Sequence, residues 1–396
     1  MRRQRGLLGL MGLAALVGLG LAQPSAAVVT TEQSASILVF PKVIADGTRD
    51  TIIQITNTSN NIRHAHCFYV DGALLDPTQP PGAANPPRWT EVDFDIWFTK
   101  QQPTHWVVST GRLDNPLDAG CRGSTSCDAR TTGGPNADCC DAGLDPGRIP
   151  PVVPGFTGEL KCIEVDAGGF PIGGNALKGE ATLEVRDPDF FQRNRGDVSK
   201  YNAIGLKGFD TNNLDGTLCL GGDVSAQCPT GAEYEACPSK WLLDHPSVGA
   251  PDPVVDQQSF CSAPPCSRVD TSLTVVPCTQ NFEAQNPQVV TLQFEIFNEF
   301  EQRLSASTSF QCWASFDLAD VGLGVFTESV VGGDIVQTVM RSARGTPGGV
   351  MAVIEESHTD TVNDRTATAA QNVHTGFEDQ TVSDIITIPA EQIQVQ

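Results

Sequence analysis

A three-part pattern occurs twice along the chain, and it limits the fold more than any bulk property does. The first copy reads SILVFP (Ser36–Pro41), IQITN (Ile53–Asn57) and HAHCFYV (His64–Val70). The second reads SLTVVP (Ser272–Pro277), FEIFN (Phe294–Asn298) and SFQCWASF (Ser309–Phe316). In each, an apolar strand ends in Pro, a second ends in Asn, and a third carries a Cys followed by an aromatic. One such match arises by chance; three in the same order indicate duplication. The gaps differ by a few residues, as loops do. Further short segments follow in both halves. DFDIWFT (Asp93–Thr99), THWVVST (Thr104–Thr110), GELKCIEV (Gly158–Val165), KGEATLEV (Lys178–Val185) and YNAIGL (Tyr201–Leu206) continue the first. DIVQTVM (Asp334–Met340), GGVMAVIEE (Gly348–Glu356), TAAQNVH (Thr368–His374) and SDIITIP (Ser383–Pro389) continue the second. Alternating or fully apolar runs of this length, bounded by turn residues, predict antiparallel sandwich sheets.

The domain plan follows. Residues 1–27 have three arginines, an apolar run from Leu7 to Ala22 and then small residues, which is the layout of a secretory leader. Cleavage is expected after Ala27, with Ala22 the alternative. The apolar run is short for a bilayer span, which needs about 20 residues. Residues 28–206 form the first sandwich, interrupted by a cysteine-rich insertion at 114–150. Residues 207–269 read as a Cys/Gly/Pro-rich linker, and residues 270–396 as the second sandwich. Neither cysteine-rich stretch has the large apolar residues to bury much surface, so disulfides are expected to order both. No later segment is apolar enough to span a membrane. The formal net charge is −22, and leader removal takes away only arginines. Such a balance repels nucleic acid and anionic lipid, both of which need basic neutralising groups.

The stretch ASILVFPKVIADGTRDTIIQITNTSN (Ala35–Asn60), with the strand after it through Gly72, resembles the start of PapD-like immunoglobulin-type domains of exported bacterial proteins. There too an apolar strand ends near a Pro, a polar turn follows, and the next strand closes in an Asn-rich turn. The resemblance implies an immunoglobulin-like sandwich. It does not extend to the basic residues with which chaperones of that type hold a subunit terminus, so no chaperone role is implied. The expected fold class is therefore all-β: two related Ig-like antiparallel β-sandwich domains with disulfide-rich insertions.

All 13 cysteines lie beyond the leader. Export and this many cysteines predict disulfides, with one thiol left over. Cys67 is expected to pair with Cys162, and Cys278, which follows Pro277, with Cys312. Lys42 stands at the place in the first copy that matches Cys278. Cys121, Cys127, Cys139 and Cys140 are expected to bridge within or from the insertion, in any of three connectivities.

His64, His66 and Cys67 put metal-ligand side chains within four positions. On a strand, however, neighbours point to opposite faces. Cys67, with Ala65 and Tyr69, is assigned to the inward face, and His64 and His66 to an exposed outward face. A zinc or copper site at His64 and His66 would need two more ligands, such as His105 or an acid. Calcium is the one other cation the chain suggests. Asp210, Asn212 and Asp215 approach an EF-type loop, but Gly216 comes one residue late. An Asp-Gly turn leading into TLCL explains the same residues better. The aspartates of the insertion offer a vaguer calcium site. No other cofactor is implied.

No GxSxG, HExxH or phosphate-binding glycine loop is present. Glu91, Asp93 and Asp95 share one strand face, where like carboxylates would perturb one another; a solvated face is the simpler reading. Trp89, Trp97 and Trp106 would stack on sugars if exposed, or fill a sandwich core if not. The expected function is a structural, adhesive or binding role at or outside the cell surface, with a protein or glycan surface as partner. A secreted enzyme acting on polysaccharide and a metal-binding protein built on His64 and His66 are the alternatives.

Overall fold

The computed structural model describes residues 29–76, 78, 85–112, 149–185, 197–209, 215–285, 288–343, 348–375 and 383–389. The leader, the insertion cysteines Cys121, Cys127, Cys139 and Cys140, and the calcium candidates Asp210 and Asn212 lie outside these residues. The described chain is all-β, with antiparallel sheets throughout save one short parallel pairing. Among the described residues, no helix is long and apolar enough to cross a membrane.

Period-two alternation builds the first nine strands into two layers. They are Ile37–Ala45 (β1), Arg49–Asn57 (β2), Arg63–Asp71 (β3), Thr90–Phe98 (β4), Pro103–Val107 (β5), Phe156–Val165 (β6), Leu177–Val185 (β7), Val198–Asn202 (β8) and Ile204–Leu206 (β9). β1 and β2 pair only at Ala45 and Asp50. Beyond that hairpin the sheet opens into β4-β3-β6-β1-β9 and β5-β2-β7-β8. Leu38, Phe40, Tyr69, Ile96 and Leu160 of one layer meet Ile53, Ile55, Trp106 and Leu183 of the other. The Trp106 indole donates to the Tyr69 hydroxyl at 2.6 Å, which satisfies both polar atoms inside the core.

Thr217–Leu220 (β10) and Lys240–Pro246 (β11) come next, followed by Ser267–Pro277 (β12), Gln280–Asn281 (β13), Val289–Asn298 (β14), Arg303–Gln311 (β15) and Ala314–Asp317 (β16). Ile335–Ser342 (β17), Val350–Asp360 (β18), Arg365–Asn372 (β19), His374–Thr375 (β20) and Asp384–Thr387 (β21) complete the order. The second sandwich stacks β15-β14-β17-β11-β20 on β16-β12-β18-β19, and β10-β21-β13 forms a small third sheet.

This order corrects the reading of 207–269 as a linker. β11 lies inside the five-stranded layer, between β17 and β20. In KWLLDHP the inward set Trp241, Leu243 and His245 is buried. Flanking Cys, Gly and Pro obscured a seven-residue alternation that is sufficient for a core strand.

The repeated segments occupy matching places in part. β1 and β12 carry the first, β2 and β14 the second, and in each sandwich these two lie in opposite layers. The third segments differ. β3 is one continuous strand. SFQCWASF breaks at Cys312, whose φ is +61°, so that β15 ends in one layer and β16 pairs with β12 in the other.

Cys67 and Cys162 face each other across β3 and β6 and are bonded. Cys219–Cys228, Cys237–Cys278 and Cys261–Cys266 are the other bridges among the described residues. The expected Cys278–Cys312 bridge is not formed. Cys278 is bonded to Cys237, and Cys312 is a buried free thiol whose pKa burial raises. The crossover at Cys312 and the approach of the segment before β11 explain the exchange of partner. Four disulfides place the chain in an oxidising compartment.

The outer face of the first sandwich is covered by the second. The outer face of β3-β6-β1, with Ile37, Val39, Phe68, Val70 and Ile163, packs into the cluster that contains Trp241, Phe294 and Ile354. Phe68 stacks on Phe282 at 4.5 Å between ring centroids. A buried ionic contact also ties the halves. The Lys42 ammonium lies 2.7 Å from the Glu355 carboxylate and donates to Ser272 at 3.1 Å. Arg49 pairs with the same carboxylate.

Candidate functional site

The neighbouring strand changes the standing of the two histidines. The outward face of β3 is not open to solvent at this point. His64 is 2% exposed and His66 7%, which corrects their assignment to an exposed face. The covering groups come from β4, where register sets His64 opposite Trp97 and His66 opposite Asp95. His64 stacks flat on Trp97, with centroids 4.2 Å apart. Its Nε2 lies 2.7 Å from Asp95 Oδ1 and its Nδ1 3.1 Å from the Asp166 carbonyl. His66 Nε2 lies 3.2 Å from Asp93 Oδ2, and its Nδ1 3.4 Å from Asp95 Oδ1. The result is a chain running His64, Asp95, His66, Asp93. The hydrogen bond from His66 holds the Asp93 carboxyl below its ordinary range. Burial, and then the Asp93 charge, push Glu91 up to about 7.

Every ring nitrogen of this chain lies within 3.4 Å of an oxygen, contacts that a bound cation would have to displace. The partners of the two histidines are Asp95 and Asp93 of the next strand, not His105. They were legible as a carboxylate face but not as partners of β3. Among the described residues, the trio whose ligand atoms lie within 4.8 Å of one another is Cys237, Cys278 and Asp384, and its cysteines are bonded to each other. Of the calcium candidates, Asp215 is described. It is exposed and accepts from the Thr217 amide at 2.9 Å, as the first residue of the turn into β10. His105 is on β5, which belongs to the opposite layer from β3.

A second feature has the shape of a binding site. Where β15 crosses to β16, the end of the second sandwich meets the loops after β3 and before β6. Between them lies a cleft of about 580 Å³. Leu74, Pro87, Val289, Trp313 and Phe316 supply its apolar walls, and among the described residues Asp46 is the one ionisable side chain on its lining. Ser309, Gln311, Ser315 and Thr157 contribute neutral polar groups. The Trp313 indole is fixed by a 2.7 Å hydrogen bond to the Pro41 carbonyl of the first sandwich. Sequence reasoning treated Trp313 only as the aromatic that follows a repeat cysteine; the backbone break at Cys312, which aims it at the first sandwich, has no signal in the residue pattern.

Gly72 permits that approach. A Cβ there would lie 2.6 Å from the Trp313 Cβ and 2.7 Å from its Cγ. Gly72→Ala should therefore push the indole aside. Overpacking of this kind costs about 1–3 kcal/mol. A lowered melting temperature and a red-shifted tryptophan emission check it, and an unchanged spectrum would contradict this packing.

No known protein family and no curated protein matches the chain. Among solved structures, a lectin from Pleurotus ostreatus in its apo form is similar at 9% identity, over 92% of this chain and 86% of that one. The TM-score is 0.13, which carries no argument about fold or ligand.

Proposed function

We propose that this is an exported, non-catalytic binding protein that seats an apolar group of its ligand in the cleft between the two sandwiches. One observation carries the reading: a roomy cleft at a domain junction, walled by apolar side chains and a fixed Trp313. Ligand sites of this size and lining recur at domain junctions. Among the described lining residues there is one carboxylate, Asp46, whereas glycoside hydrolysis uses a facing pair. The leader-like opening and the bridges suit a role at or outside the cell surface.

The test is a neutral apolar dye, Nile red, titrated into the purified protein. The wild type should enhance dye emission saturably and quench Trp313 emission. Ala314→Trp, which fills the cleft from β16, should abolish the enhancement while the melting temperature stays within a few degrees. Unaltered dye binding by a folded Ala314→Trp variant overturns the assignment. A screen of polysaccharides for released reducing ends completes it: turnover there would favour the enzyme reading instead.

A further inference from the structure

The end of the second sandwich presents large apolar side chains to solvent. Leu323 is 100% exposed, Phe300 66%, Ile335 61% and Val330 51%. They come from three neighbouring stretches: the β14–β15 turn, the turn that ends in Gly324, and the segment that leads into β17. Hydrogen bonds brace these stretches against one another. The Asn298 side-chain amide donates to the Val331 carbonyl at 2.8 Å, and the Ile335 amide donates to Glu299 at 3.1 Å. The Thr327 hydroxyl donates to the Gly324 carbonyl at 2.7 Å. Leu323 has a φ of +62° and is fully exposed on this turn. Singly exposed apolar residues are ordinary, but four on braced loops at one end form a patch.

The charges around this patch have one sign. Residues 298–302 and 317–336 contain Glu299, Glu301, Asp317, Asp320, Glu328 and Asp334, and no Lys, Arg or His. The nearest guanidinium groups, Arg303 and Arg341, already pair with Glu295. An anionic lipid surface would be repelled by six carboxylates. A second copy of the same end would bring six more against them. The complement of this rim is a cationic surface, and the complement of Leu323, Phe300, Ile335 and Val330 is an apolar one.

We infer that this end of the second sandwich docks a protein segment that combines Lys or Arg with large apolar side chains, through Phe300, Leu323, Val330 and Ile335 set in the acidic rim. The surface is separate from the cleft, and it stands or falls independently of the cleft's ligand.

The probe is a fluorescein-labelled peptide of alternating Lys and Leu, with a Glu/Leu peptide of equal length as its counterpart. Both are titrated by anisotropy into the full protein. The Lys/Leu peptide should bind and the Glu/Leu peptide should not. Phe300→Ser with Leu323→Ser, and separately Glu299→Lys with Glu301→Lys, should each weaken binding at least tenfold. Glu32→Lys with Asp223→Lys, equal in charge change but placed elsewhere, should alter it less than twofold. All the changed residues are exposed, and matched melting curves confirm that each variant folds. Equal loss in the control pair would mean general attraction to an acidic protein and would overturn the inference. So would undiminished binding by the Phe300/Leu323 variant, or a concentration-dependent dimer that the same variant dissolves.

Discussion

Glu355→Gln should unfold this protein more readily than any other single change described, by about 3–5 kcal/mol, because it leaves the buried Lys42 and the half-buried Arg49 without their counter-charge. Lys42 and Glu355 are 4% and 3% exposed at the side chain, and Arg49 reaches the same carboxylate from β2. Burial works against the charge on Glu355, yet Lys42 and Arg49 outweigh it and hold its pKa down to about 2. Burial also holds the Lys42 ammonium below the ordinary lysine range. That opposing cost makes the net gain from the cluster smaller than the Glu355 shift alone implies. Replacing Lys42 and Glu355 together by Met and Leu should cost less than either loss singly, since no fully buried charge is then stranded and Arg49, 21% exposed, can turn to solvent. Chemical denaturation of the three variants decides this, and a double variant as unstable as Glu355→Gln would contradict it.

The same group sets the acid limb of stability. A carboxyl whose folded pKa is depressed stabilises above its unfolded value and loses that contribution as pH falls through the folded value. For Glu355 the window runs from about 4.5 down to about 2. Glu164 and Asp384 behave oppositely. Burial raises them to about 7 and about 6, so their contribution is present at low pH and is lost as pH rises through those values. Stability should therefore climb as pH falls from 8 to about 5 and drop only below about 4. A monotonic loss from pH 7 downward would show that these carboxyls are not buried as described.

Removing the Cys67–Cys162 bridge as the double alanine variant should cost about 4–5 kcal/mol in the chain-entropy picture, because it closes a long loop. The two cysteines are 95 positions apart, and the loop includes the whole cysteine-rich insertion. Cys261–Cys266, separated by 5 positions, closes a far shorter loop and should matter correspondingly less. Urea midpoints of the two double variants compare them directly, and equal effects would show that loop closure is not the source of the gain.

Much of the fold was legible because strands announce themselves by alternation. SILVFP, IQITN and GELKCIEV needed no more than apolar or alternating runs with turn residues at their ends. KWLLDHP obeyed the same rule and was missed, because composition over 63 residues was allowed to outweigh seven. The pairing of Cys67 with Cys162 was readable from two facing core strands. That of Cys278 was not, since a backbone reversal at one residue sends Cys312 elsewhere, and a left-handed φ at a cysteine leaves no mark in the sequence. The histidines show a different limit. Alternation separated them from Cys67 correctly, but whether a face meets water or a neighbouring sheet depends on tertiary packing. Asp93 and Asp95 could become their partners only once β4 was laid beside β3 in register.

One pairing bears on how such a chain is assembled. β21 (Asp384–Thr387) lies between β10 and β13, and Asp384 beneath it bonds to Thr279 and Gly349. β10 and β13 thus wait for a strand that is delivered more than a hundred residues later. During vectorial synthesis, the early sandwich can form its own layers, but its outer apolar face stays uncovered until the second sandwich packs onto it, and the small third sheet is complete only once β21 arrives. The molecule has a built-in vulnerable interval, and truncation a dozen residues before its last strand should yield a product that is sticky rather than merely shorter.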